Sequence, residues 1–254
     1  MVSTLDVADL ERRVKEVYRA VAERPHERYH FEVGRGLAQR LGYPPDLLSH
    51  VPAEALESFA GVGYCLDLAR PVPGERVLDL GSGSGTDVFA AAHLVGPTGR
   101  VIGVDMSEEQ LAKARRLRTA ANVQFLAGHI EDPPVPPGTI DLILSNGVIN
   151  LSADKAAVFR AAAAVLVAGG RLAICDIVAQ HPLAEHIVCD ASLWAACVGG
   201  AAQVDEYRAL IEDAGLRIVA ERDNPGYAFR SGSARAATVT YGIKSTSFLA
   251  VKPR

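Results

Sequence analysis

The sequence predicts an α/β protein built on a doubly wound, mostly parallel sheet of seven strands. Between residues 73 and 177, short apolar segments of strand length alternate with segments of helical character. The connections are short, which implies right-handed crossovers and helices on both faces of the sheet. The chain has 254 residues, of which 49% are hydrophobic and 22% charged, so it is a folded globular protein rather than a disordered one.

The first part of the chain, residues 1–70, is predicted to be helical. In residues 5–22, apolar side chains recur every three or four positions and so form one helical face. Pro25 ends this helix. Shorter amphipathic stretches follow at residues 33–41 and 52–59. We expect this part to form a helical lid over a site in the rest of the protein.

The central part, residues 71–180, is predicted to be the ligand-binding core. Strands are predicted at residues 76–80, 100–105, 123–127, 140–145 and 171–177. Helices are predicted at residues 87–95, from residue 107 to about 120, and at residues 154–167. The second of these helices begins with Ser107 three residues before Gln110, which is the spacing of a capping box.

The last part, residues 181–254, is predicted to complete the sheet and the substrate pocket. A helix is predicted at residues 203–214, followed by Gly215 as its C-terminal cap. Strands at residues 216–220 and 245–251 would extend the sheet with an antiparallel edge. Residues 223–242 contain three glycines and no clear period, so we expect irregular structure there.

Charge and cysteine content narrow the functional classes. The chain has 26 Lys and Arg against 30 Asp and Glu, a net charge of -4, which disfavours nucleic-acid binding through phosphate neutralisation. No apolar run approaches the roughly 18 residues needed to cross a bilayer. The four cysteines form no Cys-x-x-Cys pair or zinc-type cluster, so we expect reduced thiols and no metal. The expected protein is cytoplasmic, a monomer or homodimer, with a small-molecule partner and no nucleic-acid or membrane partner.

A glycine-rich segment follows the first predicted strand. It places glycines at positions 81, 83 and 85, where the backbone can bend sharply and a ligand can approach closely. A dinucleotide-binding loop would have its third glycine at position 86, where Thr86 stands, and this argues against a nicotinamide cofactor. A plain tight turn is the alternative interpretation of the glycines alone.

A carboxylate supports the interpretation of the glycine-rich segment as a nucleotide-binding loop. Asp105 ends the next strand, 20 residues after Gly85, where a carboxylate can accept hydrogen bonds from both hydroxyls of a ribose. Met106, beside it, offers a polarisable surface to an adenine ring. The sequence therefore predicts a nucleoside site at the carboxyl ends of the first two strands.

The Asp-x-Gly-x-Gly-x-Gly form of residues 79–85 resembles the first motif of class I S-adenosylmethionine-dependent methyltransferases. The segments 101–106, 145–151, 169–172 and 193–201 are similar to the arsenite methyltransferase branch of that superfamily. The resemblance extends from about residue 14 to residue 252. It implies the Rossmann-like class I methyltransferase fold, S-adenosylmethionine as methyl donor, and a substrate pocket formed by the N-terminal helices and the C-terminal part.

The resemblance also implies which residues contact the cofactor. They are Asp79, Gly81, Gly83, Gly85, Asp105, Met106, His129, Ile130, Glu131, Asn146, Val148 and Tyr18. Many relatives have an Asp at the position of His129, where it accepts a hydrogen bond from the adenine amino group. A neutral His129 or the nearby Glu131 could take that role, and a loop histidine facing water is the alternative.

Arsenite methylation relies on thiols, because trivalent arsenic is soft, and the family typically presents three cysteines. Cys197 matches the last of them, and Cys65 lies within about one residue of the first. With Asn146, these are the candidate catalytic residues. The position of the middle thiol is Gly147, which would enlarge the pocket beside the methyl group and suit an organic substrate. The alternative for Cys197 is a buried packing residue.

Other side chains could contribute thiols or bases to the same chemistry. Cys175 lies in an apolar strand and is expected to be a small core residue, and Cys189 lies about 80° around a helix from Cys197. An oxygen or nitrogen nucleophile would also need a base to remove its proton. Candidate bases are His30, His181, His186, Tyr64 and Tyr227.

The leading hypothesis is an S-adenosylmethionine-dependent methyltransferase that acts on a small molecule, with trivalent arsenic implied by the resemblance and an organic substrate favoured by Gly147. The alternative keeps the cofactor and changes the chemistry to attack on another carbon of the sulfonium, including cyclisation of its aminobutyrate arm with release of methylthioadenosine. A nicotinamide oxidoreductase and a non-catalytic binding module are two further hypotheses.

Overall fold

A computed structural model describes residues 5–189, 193–194, 198–230 and 232–254. Its centre is a seven-stranded sheet with the strand order β3-β2-β1-β4-β5-β7-β6. The strands are β1 (Arg76–Leu80), β2 (Arg100–Asp105), β3 (Val123–Ala127), β4 (Ile140–Asn146), β5 (Leu166–Val178), β6 (Arg217–Asp223) and β7 (Lys244–Val251). β7 runs antiparallel to both of its neighbours, so the antiparallel strand lies one position inside the edge rather than at it as predicted.

The N-terminal part contains five helices within the described residues. They are α1 (Val7–Glu23), α2 (Arg35–Arg40), α3 (Pro45–Ser49), α4 (Ala53–Glu57) and α5 (Leu66–Ala69). The side chain of Asp6 caps α1 by accepting a hydrogen bond from the backbone N–H of Asp9. α3 and α5 were not predicted, because four or five residues are too few to show a helical period.

Three helices cover the central strands, namely α6 (Thr86–Val95), α7 (Glu108–Leu117) and α8 (Lys155–Val165). A 3-10 turn, Ile149–Leu151, lies between β4 and α8. Ser107 accepts a hydrogen bond from the backbone N–H of Gln110, as the capping-box spacing predicts. α8 ends two residues earlier than predicted, because β5 already begins at Leu166.

The C-terminal part contains α9 (Glu185–Val188), α10 (Val204–Asp213) and α11 (Gly232–Tyr241). The prediction of irregular structure for residues 223–242 is wrong, because α11 occupies the second half of that segment. Residues 223–242 show no clear helical period in the sequence, so this helix was not predicted. Val239, an apolar residue of α11, is 88% exposed, so it does not belong to a buried apolar stripe.

The two faces of the sheet pack against separate hydrophobic cores. Val77 and Leu142 point into the core that contains α1, α6 and α7, whereas Leu78 and Ile143 point into the core that contains α8 and α10. Successive residues of a strand thus alternate between two buried faces, as expected for parallel strands covered on both sides. No helix in the described part of the chain is long and apolar enough to cross a membrane.

A buried carboxylate on β5 joins three elements on the second face. Asp176 accepts hydrogen bonds from the backbone N–H of Asn150 (2.8 Å), the hydroxyl of Tyr207 (2.7 Å) and the backbone N–H of Ile177 (2.8 Å). Burial raises the pKa of Asp176 to about 6, although these hydrogen bonds oppose the shift. The carboxylate therefore fixes the turn after β4 to β5 and α10.

Candidate active site

A cavity of about 510 Å³ lies at the carboxyl ends of β1, β2, β3 and β4. The strand order reverses between β1 and β4, and ligands of open α/β sheets bind at such a reversal. α1 covers the cavity with Leu10 and Val14 of the apolar face that its sequence period predicts, and with Val7 at its start. The residues between α4 and α5, Phe59 and Ala60 among them, form another wall.

The glycine loop after β1 adopts a backbone conformation that side chains disfavour. φ is 74° at Gly81, 51° at Gly83 and 93° at Gly85. A Cβ atom at Gly81 would collide with Val148, and one at Gly85 would lie 2.8 Å from the ring of Phe125. Gly81 and Gly83 line the cavity, whereas Gly85 is the residue from which α6 begins. Glycine is therefore required both for the turn and for its close packing.

Asp105, at the end of β2, holds this loop in place and lines the same cavity. Its Oδ2 accepts a hydrogen bond from the backbone N–H of Gly83 (2.8 Å), and its Oδ1 accepts one from the backbone N–H of Ser107 (2.8 Å). Burial raises the pKa of Asp105, while these backbone hydrogen bonds lower it. The carboxylate thus ties the glycine loop to the start of α7.

Asp79, on β1, is a buried carboxylate that faces the cavity. It is 3% exposed, and its carboxylate accepts no hydrogen bond from the described residues. Burial raises its pKa well above the usual value, and the nearby Asp87 and Asp105 raise it further. A buried carboxylate without a partner favours a cation or a hydrogen-bond donor beside it.

The cavity as a whole is acidic. Its lining carries six carboxyl groups, from Glu11, Asp79, Asp87, Asp105, Glu131 and Asp154, against one lysine, Lys15. Carboxyl groups of one sign in a partly enclosed space attract cations and repel anions. The site therefore fits a positively charged ligand better than a phosphorylated one.

Asn146, at the end of β4, is saturated with hydrogen bonds inside the protein. Its Oδ1 accepts from the backbone N–H groups of Val62 (2.8 Å) and Gly63 (3.2 Å). Its Nδ2 donates to Asp87 Oδ2 (3.0 Å) and to Tyr43 Oη (3.1 Å). Tyr43 in turn donates to Asp87 Oδ1 (2.5 Å). Asn146 thus fixes the segment after α4 against the end of β4, beside the cavity.

The residues after β3 form another wall of the cavity. His129, Ile130 and Glu131 all line it, as do Met106 and Val148. The side chain of His129 is 48% exposed, and its Nδ1 lies 4.0 Å from a carboxylate oxygen of α1. Glu131 accepts a hydrogen bond from the hydroxyl of Ser152.

α7 holds the C-terminal turns of α1 over the cavity. Gln110 Nε2 donates to the backbone oxygen of Tyr18 (2.8 Å), and Gln110 Oε1 accepts from Ser84 Oγ in the glycine loop (2.5 Å). Lys113 Nζ donates to the backbone oxygen of Ala22 (3.0 Å). The last four carbonyl groups of a helix lack partners within the helix, and the contact of Lys113 with Ala22 satisfies one of them. Tyr18 itself lines the cavity.

The cysteines differ most from expectation. Cys65 and Cys175 form a disulfide with a Cα–Cα distance of 5.8 Å, so the prediction of reduced thiols is wrong for this pair. Both are buried, and neither is among the residues that line the cavity. Parallel pairing places Asn146 of β4 beside Cys175 of β5, which brings Cys175 to the segment that contains Cys65. Cys197 lies outside the described residues.

The candidate bases do not assemble in the cavity. His30, His181, Tyr64 and Tyr227 do not line it, and the side chain of His186 is outside the described part of the structure. Burial, together with nearby carboxylates, raises the pKa of Tyr64 to about 12.

Several cavity residues were missed by the sequence reasoning. Asp87 and Gln110 lie on α6 and α7, and Glu11 and Lys15 lie on α1. Asp87 had one signal, because it is an acidic residue directly after the glycine loop at the start of a helix. The others point inward only because of how α1 crosses the strand ends, and local sequence does not specify that.

Comparison with known proteins decides the family. A profile described as a methyltransferase domain matches residues 71–215. The chain belongs to the methyltransferase-domain family. This methyltransferase domain is 41% identical over 185 residues to the arsenite methyltransferase of Halobacterium salinarum, covering 72% of this chain and 47% of that protein. It is 38% identical over 216 residues to the arsenite methyltransferase of Aquipseudomonas alcaligenes, covering 78% and 61% of the two chains.

A solved structure gives the same picture. The crystal structure of an arsenic(III) S-adenosylmethionine methyltransferase from Chlamydomonas reinhardtii matches with a TM-score of 0.63 and 27% identity, covering 87% of this chain and 74% of that one. The class I methyltransferase fold and S-adenosylmethionine as cofactor are therefore confirmed for this methyltransferase. The chain spans about half to three fifths of the length of the two curated relatives. Neither the cyclisation chemistry nor the nicotinamide hypothesis is supported by these relatives.

The described residues fit that cofactor on physical grounds. S-adenosylmethionine carries a positive sulfonium and an ammonium group, and the cavity is acidic, with the unpartnered Asp79 facing it. The glycine loop exposes backbone where a Cβ atom at Gly83 would meet nothing closer than 3.7 Å. The observed chemistry of the lining thus agrees with the family.

Proposed function

We propose that this protein transfers a methyl group from S-adenosylmethionine to a small molecule, as a monomer or homodimer in the cytoplasm. The observation that carries the proposal is the acidic cavity at the β1/β4 reversal, in which the glycine loop, Asp105 and the unpartnered Asp79 meet. Similarity to arsenite methyltransferases makes trivalent arsenic the first candidate substrate. An organic substrate is the second, because Gly147 brings no thiol to the cavity.

The proposed cofactor contacts divide the cavity into three regions. Asp105 would accept hydrogen bonds from the ribose hydroxyls, and Met106 and Ile130 would lie against the adenine. His129 is the candidate for the adenine amino group, because Glu131 is already engaged by a serine hydroxyl. We propose that Asp79 faces the ammonium group on the methionine side. The other cavity residues assigned to that side are Gly81, Gly83, Asn146, Val148 and Tyr18.

The residues of this chain would act mainly by positioning. The bound cofactor supplies an already activated methyl group, so the protein must align a nucleophile with it and exclude water. We propose that residues 1–70 form the lid, with α1 as its cover, and that residues 71–180 and 181–254 form the core and the rest of the pocket. Asn146 is best assigned as a positioning residue, because both atoms of its amide are engaged within the protein.

Two measurements test the function. Titration calorimetry with S-adenosylhomocysteine should show binding, and Asp79→Asn should weaken it, whereas the exposed control Asp132→Asn should not. Incubation with methyl-labelled S-adenosylmethionine and arsenite, in the presence of a thiol reductant, should yield labelled arsenic species and S-adenosylhomocysteine.

Three other outcomes would contradict or change the proposal. Absence of cofactor binding to the wild-type chain would overturn the proposal. Formation of methylthioadenosine in place of S-adenosylhomocysteine would show that the sulfonium reacts at another carbon. Labelling of an added organic acceptor, but not of arsenite, would assign the substrate to the organic class.

A further inference from the structure

A lysine at the start of α8 lies between the cavity wall and the C-terminal part. Lys155 Nζ donates to the backbone oxygen of Ser152 (2.9 Å), and the same ammonium group lies 4.5 Å from the ring centroid of Trp194. An ammonium group over an aromatic face is attracted by the quadrupole of the ring. Ser152 lines the cavity, whereas Lys155 does not. The lysine therefore acts from behind the wall and not on a ligand directly.

The wall at Ser152 continues to the side of the cavity that we assign to adenine. The hydroxyl of Ser152 donates to Glu131, and both residues line the cavity. Because Lys155 holds the carbonyl group of Ser152, it also helps to fix the hydroxyl group that engages Glu131. Trp194, Lys155, Ser152 and Glu131 thus form a continuous chain of contacts that ends at the space for the ligand.

Trp194 offers the lysine a fixed aromatic face. The residue is buried, and its Nε1 donates to the backbone oxygen of Val188 (2.7 Å). A Cβ atom at Gly200 would lie 2.7 Å from the ring, so the ring packs directly against backbone there. Trp194 is also the only tryptophan in the sequence. Its fluorescence therefore reports on this contact alone.

The ammonium group of Lys155 is half-buried, and carboxyl groups face it from three elements. Burial lowers the pKa of Lys155 to about 8, although Asp176 of β5, Glu206 of α10 and Glu131 after β3 oppose the shift. Asp176, with its pKa of about 6, takes up a proton in a lower pH range. The charge over Trp194 can therefore be removed by pH separately from the charge of Asp176.

We propose that Lys155 is a positioning residue for the cofactor site, whose ammonium group, held against Trp194, fixes Ser152 and Glu131 in the cavity wall. The inference rests on the proposed function and goes beyond it, because no cofactor contact is assigned to Lys155 or Trp194. The positive charge carries the effect. Arginine should therefore replace this lysine, whereas a neutral side chain of similar length should not.

The first measurement follows Trp194 fluorescence of the full chain, without ligand, as the pH is raised. Deprotonation of Lys155 removes the cation from the ring, so the emission should change with a midpoint near pH 8. Lys155→Arg should stay charged and abolish this transition. The control Lys252→Met removes a lysine that donates to two backbone oxygens at the other end of α8, and it should retain the transition. No transition in the wild type, or the same transition in Lys155→Arg, would overturn the inference.

The second measurement is calorimetric titration with S-adenosylhomocysteine at neutral pH. Lys155→Met should weaken binding by at least about fivefold, the lower end of common coupling between sites. Lys155→Arg and Lys252→Met should bind as the wild type does. If Lys155→Met does not fold, Lys155→Arg is the decisive variant, and a fivefold loss of affinity there would contradict a role for the charge.

The two measurements separate this inference from the proposed function. Equal affinity of Lys155→Met and the wild type would reject the positioning role and leave the proposed function standing. Absence of binding to the wild type would reject the proposed function and, with it, the role of Lys155 at a cofactor site. A fluorescence transition near pH 8 would then show only that the lysine contacts Trp194.

Discussion

Asp105 offers the sharpest test of the cofactor site, because its carboxylate holds the glycine loop and is also proposed to bind the ribose. In Asp105→Asn, one oxygen becomes an NH₂ group, so either Gly83 or Ser107 loses the acceptor of its backbone N–H. Leaving one buried donor unsatisfied costs about 1–3 kcal/mol of the free energy of unfolding. In Asp105→Ala both acceptors and the proposed ribose contacts are lost, so cofactor affinity should fall by more than about 1 kcal/mol, or roughly fivefold.

The assay is calorimetric titration with S-adenosylhomocysteine, paired with urea unfolding, and Asp132→Asn serves as the exposed control. Because burial raises the pKa of Asp105, its carboxylate takes up a proton at a higher pH than an ordinary aspartate. Affinity of the wild type should therefore decline as the pH is lowered through that raised pKa, and Asp105→Asn should show a flatter profile. Unchanged affinity in Asp105→Ala would refute the assignment of this residue to the ribose.

Three further changes test other parts of the structure. Gly85→Ala should lower the free energy of unfolding by about 1–3 kcal/mol more than Gly96→Ala, because both have left-handed φ but only the added Cβ at position 85 meets aromatic rings; equal costs in urea unfolding would contradict this. Asp176 holds its proton more tightly in the folded than in the unfolded protein, so the free energy of unfolding should fall as the pH rises from about 4 to about 6. Asp176→Asn should remove that dependence in melts recorded at different pH values. Gly147→Cys should destabilise the protein, since φ is 74° and the new Cβ would lie 3.1 Å from Val62; a gain in arsenite methylation would show that the missing thiol limits activity.

The central strands and the glycine loop could be predicted because their signals are local. Each strand is an apolar run bounded by turn residues, and Asp105 lies at a fixed distance from the loop in the chain. α11 was not predicted, because its segment shows no clear apolar period, and Val239 of this helix is exposed. The pairing of Cys65 with Cys175 depends on contacts 110 residues apart, between a loop and a strand, and no local pattern encodes such a contact.

Among the cavity residues, too, some features were predicted and others depend on contacts distant in the sequence. Asp79 and Asn146 were expected at the site from the family resemblance, and both line the cavity. The hydrogen bonds that Asn146 accepts from Val62 and Gly63 were not predicted, because they depend on where the segment after α4 runs in the folded protein. Sequence therefore predicts which side chains reach the site better than it predicts which of them remain available to a ligand.

The polar contacts that hold α1 have a mechanical consequence. Gln110 and Lys113 donate hydrogen bonds to backbone oxygens in its last turns, at Tyr18 and Ala22. In its first turns, Leu10 packs into the apolar core, and a carboxylate oxygen of Glu11 lies 4.0 Å from His129 Nδ1. We therefore expect the C-terminal end of α1 to stay fixed beside α7 while its N-terminal end moves away from the cavity. The nucleoside would then enter beneath the end that begins at Val7.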